Sequence, residues 1–374
     1  MGSRTESSRR IVLENPNGAR TTNRDKSRVT FKDGSRSVEV LVFFGSQEPC
    51  LRAFVLSLSS AIASLSFCST AVAATVILAV AVRLWAQDTP TLSVNANVVT
   101  LLATVHDRSG RIVNNLTAGD FVLEEDGVPQ KVRYFSPESD LPLTVGLLVD
   151  TSRSQRGVLA EESHASSTFL DQVLRENKDQ AFVAKFDTRV QVLQRLTSSR
   201  AELAAALRQL AIPDEVATLI YSAVRQCSDD EMRNQAGRKA FILLTDGVAF
   251  KDPVSIETAI ESAQRADTIL YSIRFSDPIA AYRPFRAAIL EAAREHGKEG
   301  LERMARETGG VSYEVKKDRT IESIYSLIEE ALRNQYSIGY TPPRQAPDGK
   351  FHKIKLIPKD RNLVVVTRTG YYSK

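Results

Sequence analysis

Asp150, Ser152 and Ser154 stand on the stretch that follows the apolar run 143–149. One carboxylate and two hydroxyls at alternating positions, on the turn that closes a buried-strand pattern, make a set of hard oxygen donors. Donors of this kind suit Mg²⁺, or Mn²⁺ or Ca²⁺, rather than zinc. Two more oxygen donors come later in the chain. Thr218 precedes an apolar, helix-like stretch, and Asp246 lies in Leu244-Thr245-Asp246-Gly247, which closes a second apolar run at 240–244. Each piece alone has an ordinary use. A serine after a strand caps the next helix, here one starting near Gly157; Thr218 can cap a helix as well, and Thr-Asp-Gly is a common turn. All three in this order, two of them on strand ends, point to a divalent-cation site made of Asp150, Ser152, Ser154, Thr218 and Asp246.

Other chemistries find less support. His106, His164, His296 and His352 form no pair with metal-ligand spacing, which argues against zinc. There is no Gly-x-Ser-x-Gly elbow and no phosphate-binding Walker loop. No base or nucleophile accompanies the oxygen donors, so no enzymatic activity is expected. Cys50 and Cys68 belong to the N-terminal region, which leaves Cys227 alone in the globular part; it reads as a helix-packing residue. Tyr336, Tyr340, Tyr371 and Tyr372 read as core and hairpin packing rather than as a surface patch.

The elements that position these residues alternate between strand and helix. Strands are expected at 143–149, 180–187, 190–194, 239–245, 268–275 and 311–314. Helices are expected at 157–175, 199–210, 217–232, 255–266, 298–308 and 319–334, with 277–297 a loop holding a helical piece. The pattern predicts an α/β fold for 141–335: a doubly wound, mostly parallel, Rossmann-like sheet covered on both faces. Ligands of such sheets bind at the carboxyl ends of strands, where Asp150 and Asp246 fall. A small all-β module is expected at 90–138, with Asp126-Gly127 as a tight turn. A C-terminal β extension is expected at 336–374, with 351–357 and 362–368 forming a hairpin.

The charge is unevenly placed. Eleven Lys or Arg against six Asp or Glu precede residue 88, and the remainder is near neutral, so nothing marks a nucleic-acid partner. Residues 1–52 read as a basic, disordered segment, apart from a hairpin cue at Asp33-Gly34 within 28–42. Residues 53–82 carry no charge and are flanked by Arg52 and Arg83. This run is long enough to span a bilayer as a helix, so 53–86 serves as a signal sequence or as an uncleaved anchor; the basic residues before it predict that everything after it is exported. Membrane contact is expected only through 53–82, leaving the protein secreted, periplasmic or anchored by an N-terminal helix.

The Asp150-x-Ser152-x-Ser154, Thr218 and Asp246 set resembles the metal-ion-dependent adhesion site of a von Willebrand factor type A domain. Asp120-Phe121 with Glu124-Glu125-Asp126-Gly127, and Ile338-Gly339-Tyr340-Thr341-Pro342, make the stretch 90–374 similar to the VWFA-related Acidobacterial domain family. The resemblance implies that the two serines bind a cation directly, Thr218 directly or through water, and both aspartates largely through water. It further implies that an Asp or Glu of a protein partner completes the metal's shell. One departure is that Glu215-Val216-Ala217 precede Thr218 where many type A domains have glycines. The leading expectation is an exported, Mg²⁺-dependent protein-binding module. The alternative is a non-catalytic envelope scaffold whose type A domain is structural and whose β regions bind partners.

Overall fold

The computed structural model describes residues 25–33, 36–44, 98–138, 141–275, 284–342 and 348–373. The apolar segment 53–86, and with it the signal or anchor expectation, lies outside the described residues, as does 276–283. No helix among the described residues is long and apolar enough to cross a membrane. Within the segment expected to be disordered, β1 (Asp25–Asp33) and β2 (Arg36–Phe44) pair antiparallel, with Asp33 opposite Arg36 as the hairpin cue implied.

The rest of the described chain builds a six-stranded sheet with helices on both faces and a β-sandwich. The six-stranded sheet contains β7 (Leu143–Asp150), β8 (Gln180–Phe186), β9 (Val190–Thr197), β10 (Arg238–Thr245), β11 (Ile269–Arg274) and β12 (Ser312–Glu314) in the order β12-β11-β10-β7-β8-β9. Only the edge strand β9 runs antiparallel to its neighbour. All eight residues of β7 and of β10 are buried, as central strands covered on both faces must be. One face carries α1 (Leu159–Val173), α2 (Arg200–Leu207) and α6 (Ile321–Arg333), around Val145, Leu147 and Ile242. The other carries α3 (Ile220–Cys227), α4 (Ile256–Arg265) and α5 (Pro284–Thr308), around Leu148, Phe182 and Phe241. Gly146 in β7 lets Phe182 and Phe241 close over the strand, since a Cβ there would meet Phe182 at 2.5 Å. Cys227 packs in this second layer, and burial pushes its thiol up to about 12.

Two elements depart from the sequence expectation. Residues 284–297 of the expected loop are instead part of one 25-residue helix, α5, that includes the expected 298–308. Ala, Glu and Arg dominate that stretch and favour helix strongly enough to carry it through Gly297 and Gly300. The helix ends where Gly309, at φ +92, turns so that its N–H and that of Gly310 both reach Ala305 O, at 3.0 and 2.8 Å.

The second departure concerns the β segments. Before the α/β domain come β3 (Val99–His106), β4 (Phe121–Glu125), β5 (Val128–Gln130) and β6 (Tyr134–Glu138); after it come β13 (Gln335–Tyr340), β14 (Phe351–Pro358), β15 (Val364–Thr367) and β16 (Gly370–Tyr372). They interleave as β15-β3-β13-β6 and β16-β14-β4-β5. The expected hairpin therefore does not form: β14 pairs with β4 and β16, while β15 crosses to β3. A two-stranded hairpin could not bury Ile354, Leu356 and Tyr371 by itself, whereas both sheets together enclose them with Leu101, Phe121 and Ile338. Tyr336, Tyr340 and Tyr371 are buried here, as packing residues.

Candidate metal centre

β7 delivers Asp150 to the carboxyl edge of the sheet as a fully buried side chain. Its Oδ2 accepts the Thr245 hydroxyl at 2.6 Å, and its Oδ1 accepts the Ser152 N–H at 2.8 Å. Burial, and then the charge of Asp246, raise Asp150 to about 7; the bonds from Thr245 and Ser152 oppose that shift. Thr245 thus holds the Asp150 carboxylate, and sequence reasoning passed over it. Its only signal was its place before Asp246 on an adjacent parallel strand, which register alone brings beside Asp150.

The turn after β7 shows why the serines alternate. Thr151, between Asp150 and Ser152, points away and donates to Asp187 Oδ2 at 2.8 Å, locking this turn to the one after β8. Ser152 and Ser154 put their hydroxyls 3.0 Å apart, Ser152 buried and Ser154 exposed. Ser152 precedes a short 3-10 turn, Arg153–Gln155, and makes no side-chain capping bond. The residue capping α1 is Val158, so neither serine is spent on the following helix.

Thr218 also does not cap a helix. The cap position of α3 is Leu219, and Asp252 satisfies the helix start instead, accepting from Tyr221 N at 2.7 Å, Ser222 N at 3.2 Å and the Ser222 hydroxyl at 2.6 Å. Thr218 exchanges two backbone hydrogen bonds with Phe250, four residues past Asp246, at 2.9 and 3.1 Å. Arg153 donates to the Asp214 carbonyl and ties the serine turn to the same loop. Asp246 Oδ1 accepts the Val248 N–H at 3.0 Å, which fixes its loop. The loop is also pressed from behind: a Cβ on Gly297 of α5 would lie 2.3 Å from Gly247 O. All five expected donors thus stand on three neighbouring loops at one end of the sheet. A cleft of about 330 Å³ adjoins them, lined by Tyr221, Gly247, Lys251, Asp252 and His296. A larger cavity, about 480 Å³, lies at the other end of the sheet, among Lys239, Ile269, Arg368 and Tyr372, away from the aspartates.

One histidine is better placed than its sequence position suggested. His352 on β14 lies between carboxylates, its Nδ1 2.8 Å from Asp126 and its Nε2 3.0 Å from Asp348, with Glu125 Oε1 3.7 Å from Nδ1. The pairing of β14 with β4 creates this group, and no sequence spacing reveals it. Tyr340 donates to Glu125 at 2.6 Å, so the cluster ties the β4 turn to the sandwich core.

Residues 145–248 match the family model described as the von Willebrand factor type A domain. No curated protein sequence matches the chain. Among solved structures, the chain is similar to the conserved hypothetical protein BatB from Bacteroides thetaiotaomicron, at 16% identity over 51% of this chain and 97% of that one, TM-score 0.40. It is similar to proximal thread matrix protein 1 from the mussel byssus, described with a zinc-occupied MIDAS motif, at 15% identity over 56% and 49% of the two chains, TM-score 0.44. A von Willebrand factor type A structure from Catenulispora acidiphila matches at 13% identity over 74% and 75%, TM-score 0.41. The family match starts inside β7 and stops two residues past Asp246, so the stretch that matches the von Willebrand factor type A domain contains both aspartates.

Proposed function

We propose that this chain is an exported, non-catalytic protein-binding module that uses a divalent cation to engage an Asp or Glu of its partner. The observation that carries the proposal is Asp150: a fully buried carboxylate, facing the charge of Asp246 and raised to about 7, beside two serine hydroxyls that cap nothing. The donor chemistry fits Mg²⁺, with Mn²⁺ or Ca²⁺ as alternatives, because every candidate side chain offers oxygen. Asp150, Ser152, Ser154, Thr218 and Asp246 would hold the ion. When bound, the ion supplies an electrophilic position for a carboxylate oxygen. Lys251 and His296 in the adjoining cleft offer further polar contacts to the partner. The charge-free run 53–82 supports export, and the resemblance to the VWFA-related Acidobacterial domain family is part of the same reading.

The test is thermal unfolding of the purified full chain in EDTA, Mg²⁺, Mn²⁺ and Ca²⁺. A cation that binds only the native state stabilises it by about 2.7 kcal/mol at roughly a hundred times its dissociation constant. Asp150→Ala is expected to abolish that gain. If wild type and mutant respond alike to Mg²⁺ and EDTA, the reading fails. The scaffold alternative draws on the β-sandwich; it predicts that partners stay bound in EDTA.

A further inference from the structure

Three buried oxygen atoms on the segment after the serines have no hydrogen-bond partner among the described residues: Gln155 Oε1 and both carboxylate oxygens of Glu162. Glu162 is fully buried and Gln155 is 1% exposed. The segment between them is a near-continuous run of helical turns: Val158 N donates to Gln155 O at 3.0 Å, and Glu162 N to Val158 O at 2.9 Å. Seven residues therefore set the two side chains two turns apart along one inward face. An orphaned amide oxygen is a modest cost, but an orphaned carboxylate is a large one.

The charges around Glu162 deepen the problem. Burial first, and then the charges of Asp150, Glu161 and Asp246, push it up to about 9. Among the described residues, the side chains that act on Glu162 are all carboxylates. Tyr325 of α6 is raised by its burial first and by Glu162 in smaller part, and it is hydrogen-bonded to Ser166 at 2.7 Å. Without a cation Glu162 stays neutral by holding a proton; the positive charge that would let it ionise is the one the proposed function supplies.

We infer that Glu162 is a positioning residue of the cation site, its buried and orphaned carboxylate balanced by the hydrated divalent ion held at Asp150, Ser152, Ser154 and Asp246. The inference rests on the cation-site reading above. Nothing in the sequence motif marks Glu162, which sits twelve residues past Asp150 in an ordinary helix position.

The inference separates two quantities that a packing role would move together. In EDTA the buried Glu162 carboxyl holds a proton, so Glu162→Gln changes neither charge nor shape and the full-length variant should unfold at about the wild-type temperature. Its Mg²⁺ dissociation constant, measured by isothermal titration, should rise about 10- to 100-fold, the usual effect of losing a supporting residue behind metal ligands. Glu162→Asp keeps the charge on a shorter arm and should bind Mg²⁺ more tightly than Glu162→Gln but more weakly than wild type. If Glu162→Gln does not fold, Glu162→Asp carries the test against wild type alone. An unchanged Mg²⁺ dissociation constant in either folded variant, beside a wild type that binds, overturns this inference and leaves the cation site standing. A wild type with no response to any cation overturns both.

Discussion

Asp150 is the residue on which the proposed cation site turns, and its environment makes a pH prediction with a definite sign. Its folded-state value of about 7 lies above the ordinary 3.8, so the native state without metal holds a proton that the unfolded chain releases. That contribution to stability is fully present below about pH 4 and is lost as pH rises through about 7. In EDTA, wild type should therefore lose stability across this window, and Asp150→Asn should lose less; denaturant titrations at pH 4.5 and 7.5 measure the difference, and equal slopes would contradict it. The five candidate oxygen donors could be named from the sequence because residue type and spacing carry the chemistry proposed for the site. Thr245 and Glu162 could not. Each acts across a parallel register or a helix–sheet contact, and such contacts leave no local spacing to read. His352 is the same lesson in the sandwich, since its carboxylate neighbours arrive from β4 and from the loop before β14.

At the scale of elements, α5 is where the sequence misleads and the structure explains. Gly297 closed the stretch expected as a loop, yet it lies inside a helix, as Gly300 does. A glycine inside a helix costs stability relative to alanine, about 0.5–1 kcal/mol, so its presence there asks for a reason. The reason at Gly297 is the approach of α5 to the Asp246 loop, which leaves no room for a Cβ beside Gly247 O. Gly297→Ala should therefore destabilise the fold by about 1–3 kcal/mol, the usual range for overpacking, instead of stabilising it as alanine does in an open helix. It should also weaken the Mg²⁺ response, because the backbone that must yield follows directly after Asp246. A thermal melt with and without Mg²⁺ reads both effects; a gain in stability would show that α5 does not press on the loop. The strands were easier to read than the helices that press on them. Continuous burial marks β7 and β10 directly, whereas the contact of α5 with a loop is a matter of tertiary distance.

At the scale of the whole molecule, the sandwich was legible only in halves. Both β segments could be recognised as β, but their pairing depends on strands more than two hundred residues apart, such as Ala103 opposite Tyr336. One consequence is mechanical. The α/β domain leaves the sandwich from β6 into β7 and returns from α6 into β13 with only Asn334 between. A pull on a partner held at the Asp150 turn, resisted by the sandwich, travels lengthwise down β7. That strand is clamped by seven parallel positions on β10 and seven on β8. Their hydrogen bonds lie across the line of force and must yield together in shear. A pull between the same turn and Gln191, at the start of the edge strand β9, would instead open the β8–β9 pairing one bond at a time. Force spectroscopy with handles at Arg153 and Lys355 should accordingly need a higher rupture force than with handles at Arg153 and Gln191; equal forces would remove the idea. The central strand that presents the candidate site is also its tether, so a bond to a partner made there would load that strand along its length.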